Sequence, residues 1–546
     1  MSFGKEEFER KVIPIWDSSR MAASLAENSS TKKVSHATII NACSPRLIEE
    51  LSISQDIGVA VELLNASKVE GNREGIIIAS KRILDSFDLP KPVVDMARAA
   101  LSEEAGALSL MIDSRGRLYT LRSVLRNNPR NTLAWVDMAR EYLVLGYGKP
   151  AARAMSIALA LAPANRWITR VASRLHIHLK DFDKSFSILS RHPGIKHDPW
   201  IASAELAVCQ LLGRTSKNIS SSKRLLEQKL HPSHTVELAS SLGTMEIESG
   251  AIKKAKMYIR ASLEHPNRNS LAQAVWAEQA HDIKLASHLD VQQLDIAYEA
   301  KAWECYIRGD IPAALENCLA WYDSEPYSSQ PSMLASYLAA IDDRYDDIIA
   351  IANKGLITSP SNPTLKMNKA YAELAKVDPL NPTQKDIENI AVWLPLFKEH
   401  QKGDRYHAAQ SLANIGMLCY RFGELEKGRE YYELAERICS AERFNTQLMC
   451  MIYHAREAML AQAGWANELL EKARVFGGKN VDPGKVAAFG YLEKLNFIEK
   501  NPGSYRAVLK IGKAPDQKKP DIFDRMQFAK AIGEGLIFSL PDDFSR

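Results

Sequence analysis

Four histidines, His176, His178, His192 and His197, lie within 22 residues of one another, a density at which imidazoles could gather round a metal ion. His176 and His178 stand two apart on an expected helix, so they point about 200° away from each other and read as scattered core and surface histidines. The acidic run Asp342, Asp343, Asp346 and Asp347 offers carboxylates for a calcium ion. It lacks the glycine and distal glutamate of an EF-hand loop and falls between two expected helices, so it reads as a solvated turn. For phosphate chemistry, Gly477-Gly478-Lys479 and Gly512-Lys513 lack the spacing that wraps backbone amides around an anion. No GxSxG, HExxH or GxGxxG string occurs. The seven cysteines are odd in number and form no CxxC, and Cys305 and Cys318 fall on helix faces where a small buried hydrophobe is the usual role. The expectation is a protein that is not an enzyme, with no metal, no cofactor and no small-molecule substrate.

The elements that would position any site follow from length and spacing. Of 546 residues, 70 are Lys or Arg and 66 are Asp or Glu, a net charge of +4. Apolar runs such as 155–162 fall far short of a bilayer span, and the opening MSFGKEEFERK is charged, so no membrane partner is expected and the cytoplasm is the expected compartment. At this length a single core would be too large, which leaves several domains or an array growing along one axis. Prolines indicate the second: Pro129 and Pro163, Pro232 and Pro266, and Pro326 and Pro360 are each 34 residues apart. Self-similarity at this period predicts a helical solenoid.

Within the period, segment 132–165 places Trp135, Met138, Ala139 and Tyr142 on a first helix, Ala151, Met155 and Ala158 on a second, and Pro163 after it. Segment 295–328 repeats the pattern with Tyr298, Ala302, a Gly309-Asp310 turn, Ala314 and Pro326. Segment 409–442 repeats it with Leu412, Ile415, Gly416, a Gly423-Glu424 turn, Gly428, Tyr432 and Ala435. This order of large, small and proline positions resembles the tetratricopeptide repeat, with weaker copies at 98–131, 166–199, 201–234, 235–268 and 329–362. The resemblance implies an all-α fold, a right-handed superhelical solenoid of stacked antiparallel helix pairs. Its expected parts are an N-terminal helical region at 1–97, repeats over 98–375 with an irregular unit near 269–294, a connector at 376–408, further repeats at 409–480 and a helical cap at 481–546.

The near-neutral total conceals two opposite sections: residues 115–200 carry 15 bases against 5 acids, and residues 281–350 carry 13 acids against 4 bases. In the family the first helix of each pair lines a concave groove. That register, carried over by analogy, places Arg140, Arg170 and Arg174 in the groove of the basic section and Glu299, Trp303, Tyr306 and Tyr337 in that of the acidic one. Arginine gives planar, bidentate contact to carboxylate or phosphate, and aromatics give contact area at low entropic cost. The family's Lys/Asn clamp for C-terminal carboxylates is not reproduced. The expected function is an interaction scaffold that binds a protein or peptide partner in the groove and assembles a multiprotein complex. The alternative is a nucleic-acid-associated helical-repeat protein that uses residues 115–200. Far-UV circular dichroism is expected to show about 60–70% helix, against about one third for an ordinary domain; substantial strand signal would contradict the periodic reading.

Overall fold

The computed structural model describes residues 10–16 and 43–509, apart from 55, 71–72, 87–88, 91–92, 95, 98–104, 229, 380–381, 402, 443–445 and 479–485. Every regular element among the described residues is helical. The chain divides into two compact units, one of residues 16–162 and one of residues 1–15 with 163–546.

Local chemistry at the helix ends repeats with the same period as the prolines. Asn131, Asn165 and Asp198 each cap a first helix, their side chains accepting from the backbone N–H of Ala134, Ile168 and Trp200. First helices then stop on a residue in the left-handed region: Gly146, Lys180, Gly213, Gly250, Gly309, Asp343 and Gly423 all have positive φ. Gly309, at φ 81, adopts this conformation without strain. Asp343, at φ 56, holds the equivalent place 34 residues later with a side chain that the core uses.

In the first unit, Thr132–Val144 packs on Gly148–Leu161 and on Ala105–Asn127. Helices Cys43–Ile53, Ile57–Glu70 and Arg73–Leu84 bury Leu51, Leu63, Leu64 and Ile83 in a cluster of their own. In the second unit, helices pack neighbour to neighbour from Arg166–His178 onward. The first helices also pack on one another, Pro199–Leu211 on Pro232–Glu248, then Arg268–His281, then Tyr298–Ile307. The same holds from Gln330–Ile341 through Pro363–Ala375, Arg405–Arg421 and Gln447–Leu460 to Val486–Lys500. A wall of first helices is the result.

Small residues set how closely paired helices approach. Ala151 and Ala314 are wholly buried. A Cβ on Gly416 would lie 2.6 Å from the Tyr432 ring, and one on Gly428 would lie 2.8 Å from the Tyr420 ring, so both glycines permit the crossing of Arg405–Arg421 with Leu425–Ala441. Pro232 departs from the expected proline role. It opens the helix Pro232–Glu248 instead of following one, a position where its missing N–H is no loss. The connector at 376–408 contains two short helices, Gln384–Ala391 and Leu394–His400, and seats Phe397 in the core. The expected loop at 510–521 and amphipathic segment at 522–538 lie outside the described residues, as do 1–9 and 17–42 of the N-terminal region.

Charges are also buried in this core. Arg421 holds Glu457 with both arms, at 2.6 and 3.0 Å, and donates to the Val377 carbonyl at 2.5 Å. Arg456 shares Glu457 at 2.7 Å and donates to the hydroxyls of Tyr371 and Tyr491. All three charged side chains are fully buried. Burial alone would push the Glu457 carboxyl up, but Arg421 and Arg456 hold it below the ordinary range. Asp343, read from sequence as part of a solvated turn, is buried as well, accepting from Tyr345 at 3.1 Å, Tyr491 at 2.5 Å and Lys494 at 3.2 Å. Burial raises its pKa despite the nearby Lys494 and Arg456.

Gly428→Val is expected to overpack the crossing and cost about 1–3 kcal/mol, read as a lowered urea midpoint. Gly464→Ala, where an added Cβ meets nothing within 4 Å, is the control and should leave the midpoint in place.

Candidate functional site

The wall of first helices in the second unit carries a seated ligand, and the ligand is the chain itself. Residues 10–15 run without regular structure against Arg268–His281 and its neighbours. Asn269 and Gln273 stand four apart on that helix and so share one face. Gln273 accepts from the Arg10 guanidinium at 2.8 Å and donates to the Arg10 carbonyl at 3.0 Å. Asn269 accepts from the same guanidinium at 2.7 Å and donates to the Ile13 carbonyl at 2.9 Å. Glu299, on the next first helix, takes Arg10 as a fork, at 2.7 and 3.0 Å. Lys11 pairs with Glu248 at the end of the preceding first helix. Val12 is fully buried between these polar anchors.

Of the residues expected in the groove, Glu299 makes this contact. Arg170 and Arg174 lie on the first helix Arg166–His178, and carboxylates of the same unit meet both. Arg170 pairs with Glu237 and lies over Trp200 at 4.8 Å; Arg174 pairs with Glu325 at 3.2 Å and lies over Tyr327 at 6.0 Å. Trp303 is partly buried and meets Tyr306 edge to face at 5.9 Å. Tyr306 and Tyr337 are core residues whose hydroxyls hydrogen-bond at 3.0 Å. Arg140 lies in the other unit, beside Glu141 at 3.4 Å, and Arg117 reaches the same carboxylate at 3.0 Å. The structure therefore brings Arg170, Arg174 and Glu299 onto the first-helix wall of one unit, each already engaged, and leaves Arg140 in the other.

His176 and His178 meet different neighbours, as their spacing implied. His176 faces Asp181 at 3.5 Å, His178 meets the Tyr327 ring at 6.3 Å, and His192 accepts from the Gly194 N–H at 3.0 Å. Burial, with the Arg174 charge beside it, pushes His178 down to about 4.

Sequence reasoning missed Asn269, Gln273, Glu248 and the segment 10–15. The available signal was two carboxamides at helical spacing within the otherwise small and apolar stretch 269–277, inside the unit read only as irregular.

A pH dependence follows from His178. Its folded pKa lies below the unfolded value of 6.5, so its contribution to stability is complete above pH 6.5 and is lost as pH falls toward about 4. Nuclear magnetic resonance of labelled histidine should find its ring neutral at pH 5, and Arg174→Gln should move its titration upward by removing a like charge. No family model matches the chain and no curated protein matches it, so its function has to be argued from the geometry of this wall.

Proposed function

We propose that the protein is a non-enzymatic interaction scaffold of the tetratricopeptide-repeat kind. Its stacked helix pairs form a right-handed superhelical solenoid whose concave wall binds a protein or peptide partner and assembles it into a multiprotein complex. One observation carries the reading: two buried carboxamides on a first helix take the main-chain carbonyls of a segment without regular structure. Contacts to carbonyls recognise a polypeptide as such, whatever its side chains. The engagement of Arg170 and Arg174 by Glu237 and Glu325 supports the same choice, because it removes two of the arginines that a phosphate backbone would need.

A specific feature of the other unit favours the alternative there. Arg115, Tyr119, Arg122 and Arg126 are exposed along one face of Ala105–Asn127, a basic stripe with an aromatic among it, as single-stranded nucleic acid would use.

The two readings part on one experiment. Gln210 donates to Glu248 at 3.0 Å beside the Lys11 contact, and a photo-crosslinking amino acid placed there in the full chain reports what reaches the wall. Crosslinking in extracts of the native host is expected to label a polypeptide, to survive nuclease and to be lost in Asn269→Ala/Gln273→Ala. A labelled single-stranded RNA oligomer is expected to bind no tighter than about micromolar at physiological salt. Tighter binding, lost in Arg115→Glu/Arg122→Glu/Arg126→Glu, would establish the nucleic-acid reading in its place.

A further inference from the structure

The segment at 10–15 shows in detail what this wall accepts. Asn269 and Gln273 are essentially inaccessible to solvent with the segment in place, and their carboxamide oxygens and nitrogens meet groups of residues 10 and 13. A buried carboxamide left without partners is costly, so a pair aimed at a chain crossing their helix is built to hold one. The side-chain readout is equally defined. Glu299 grips a guanidinium bidentately, Glu248 takes the ammonium of the next residue, and the branched apolar Val12 that follows is fully buried.

Resting on the scaffold reading, we propose that the wall formed by Pro232–Glu248, Arg268–His281 and Tyr298–Ile307 is a receptor site for an Arg-Lys-apolar peptide segment that turns at its apolar residue, as the Ile13 N–H to Lys11 carbonyl bond turns this one. Residues 10–15 are its tethered occupant, and a partner carrying a segment of this chemistry binds by displacing them. The tether matters quantitatively. A segment on the same chain meets its site in an intramolecular step, so a peptide supplied in solution meets a largely filled site. Its apparent affinity falls by the fraction of molecules whose site is open.

The test uses the full chain and a fluorescent synthetic peptide spanning residues 8–17, followed by anisotropy. The unmodified protein is expected to bind the peptide weakly, and Arg10→Glu/Lys11→Glu, which loosens the tethered copy, at least ten-fold tighter. Adding Asn269→Ala/Gln273→Ala should abolish binding while the circular dichroism spectrum stays unchanged. Should that variant not fold, Glu299→Lys in the otherwise unmodified chain keeps the question answerable: it sets a lysine against the tethered Arg10, and should fail to bind the natural peptide and bind a peptide carrying Arg10→Glu. Equal binding by the unmodified and loosened proteins would overturn the proposal, as would binding that ignores the changes at Asn269, Gln273 and Glu299. Displacement of bound peptide by a single-stranded RNA oligomer would overturn it too. A partner crosslinked at Gln210 with no peptide binding would refute the tethered-occupant idea alone, whereas an empty crosslinking experiment would refute the scaffold reading beneath it.

Discussion

A pair of short helices joined by a tight turn cannot bury its apolar stripe against itself, and this constraint organises the molecule. Each first helix has one face against its partner and another open unless the next pair arrives to cover it, so stability is gained by stacking neighbours. The closeness of the crossings decides how well that works. At Arg405–Arg421 against Leu425–Ala441, Gly416 and Gly428 let the rings of Tyr432 and Tyr420 lie where a methyl group would otherwise stand. The left-handed residue that ends most of the first helices, Gly146, Gly309 and Gly423 among them, turns the chain sharply enough for the second helix to return along the first.

Toward its far end the second unit buries ions among its apolar contacts. Arg421, Glu457 and Arg456 form a closed set, with Asp343 linked through Tyr491 and Arg456. Such a set contributes little net stability when complete, but removing one member leaves the others charged and dry, at a cost of about 3–5 kcal/mol. The set joins the end of Gln330–Ile341 to Pro363–Ala375, Arg405–Arg421, Gln447–Leu460 and Val486–Lys500, each through a side chain whose charge or hydroxyl is met there.

The helical class and the period were legible because they rest on local chemistry: proline spacing, small residues at crossings and turn glycines. Ala151 and Ala314 are buried, and Gly416 and Gly428 stand at close contacts between paired helices. The site was legible only in part, and the reason is physical. Which charges remain open to a ligand depends on residues far along the chain: Arg174 meets Glu325 across 151 positions, and Arg10 meets Glu299 across 289. No periodicity encodes such pairings. Asp343 is the clearest case, since a run of four acids near a turn reads as solvated, while the structure draws one of them inward to Tyr345, Tyr491 and Lys494.

The short stretch at 10–15 also has a mechanical meaning. It is fastened to three successive first helices, at Glu248, at Asn269 with Gln273, and at Glu299, and so spans the irregular unit where the second helix shrinks to His288–Gln293. The second helix of that unit is six residues long, and the stretch at 10–15 crosses the first helices around it as a tie. The first helices on either side of that short second helix are thereby joined through one stretch of backbone as well as through their own packing.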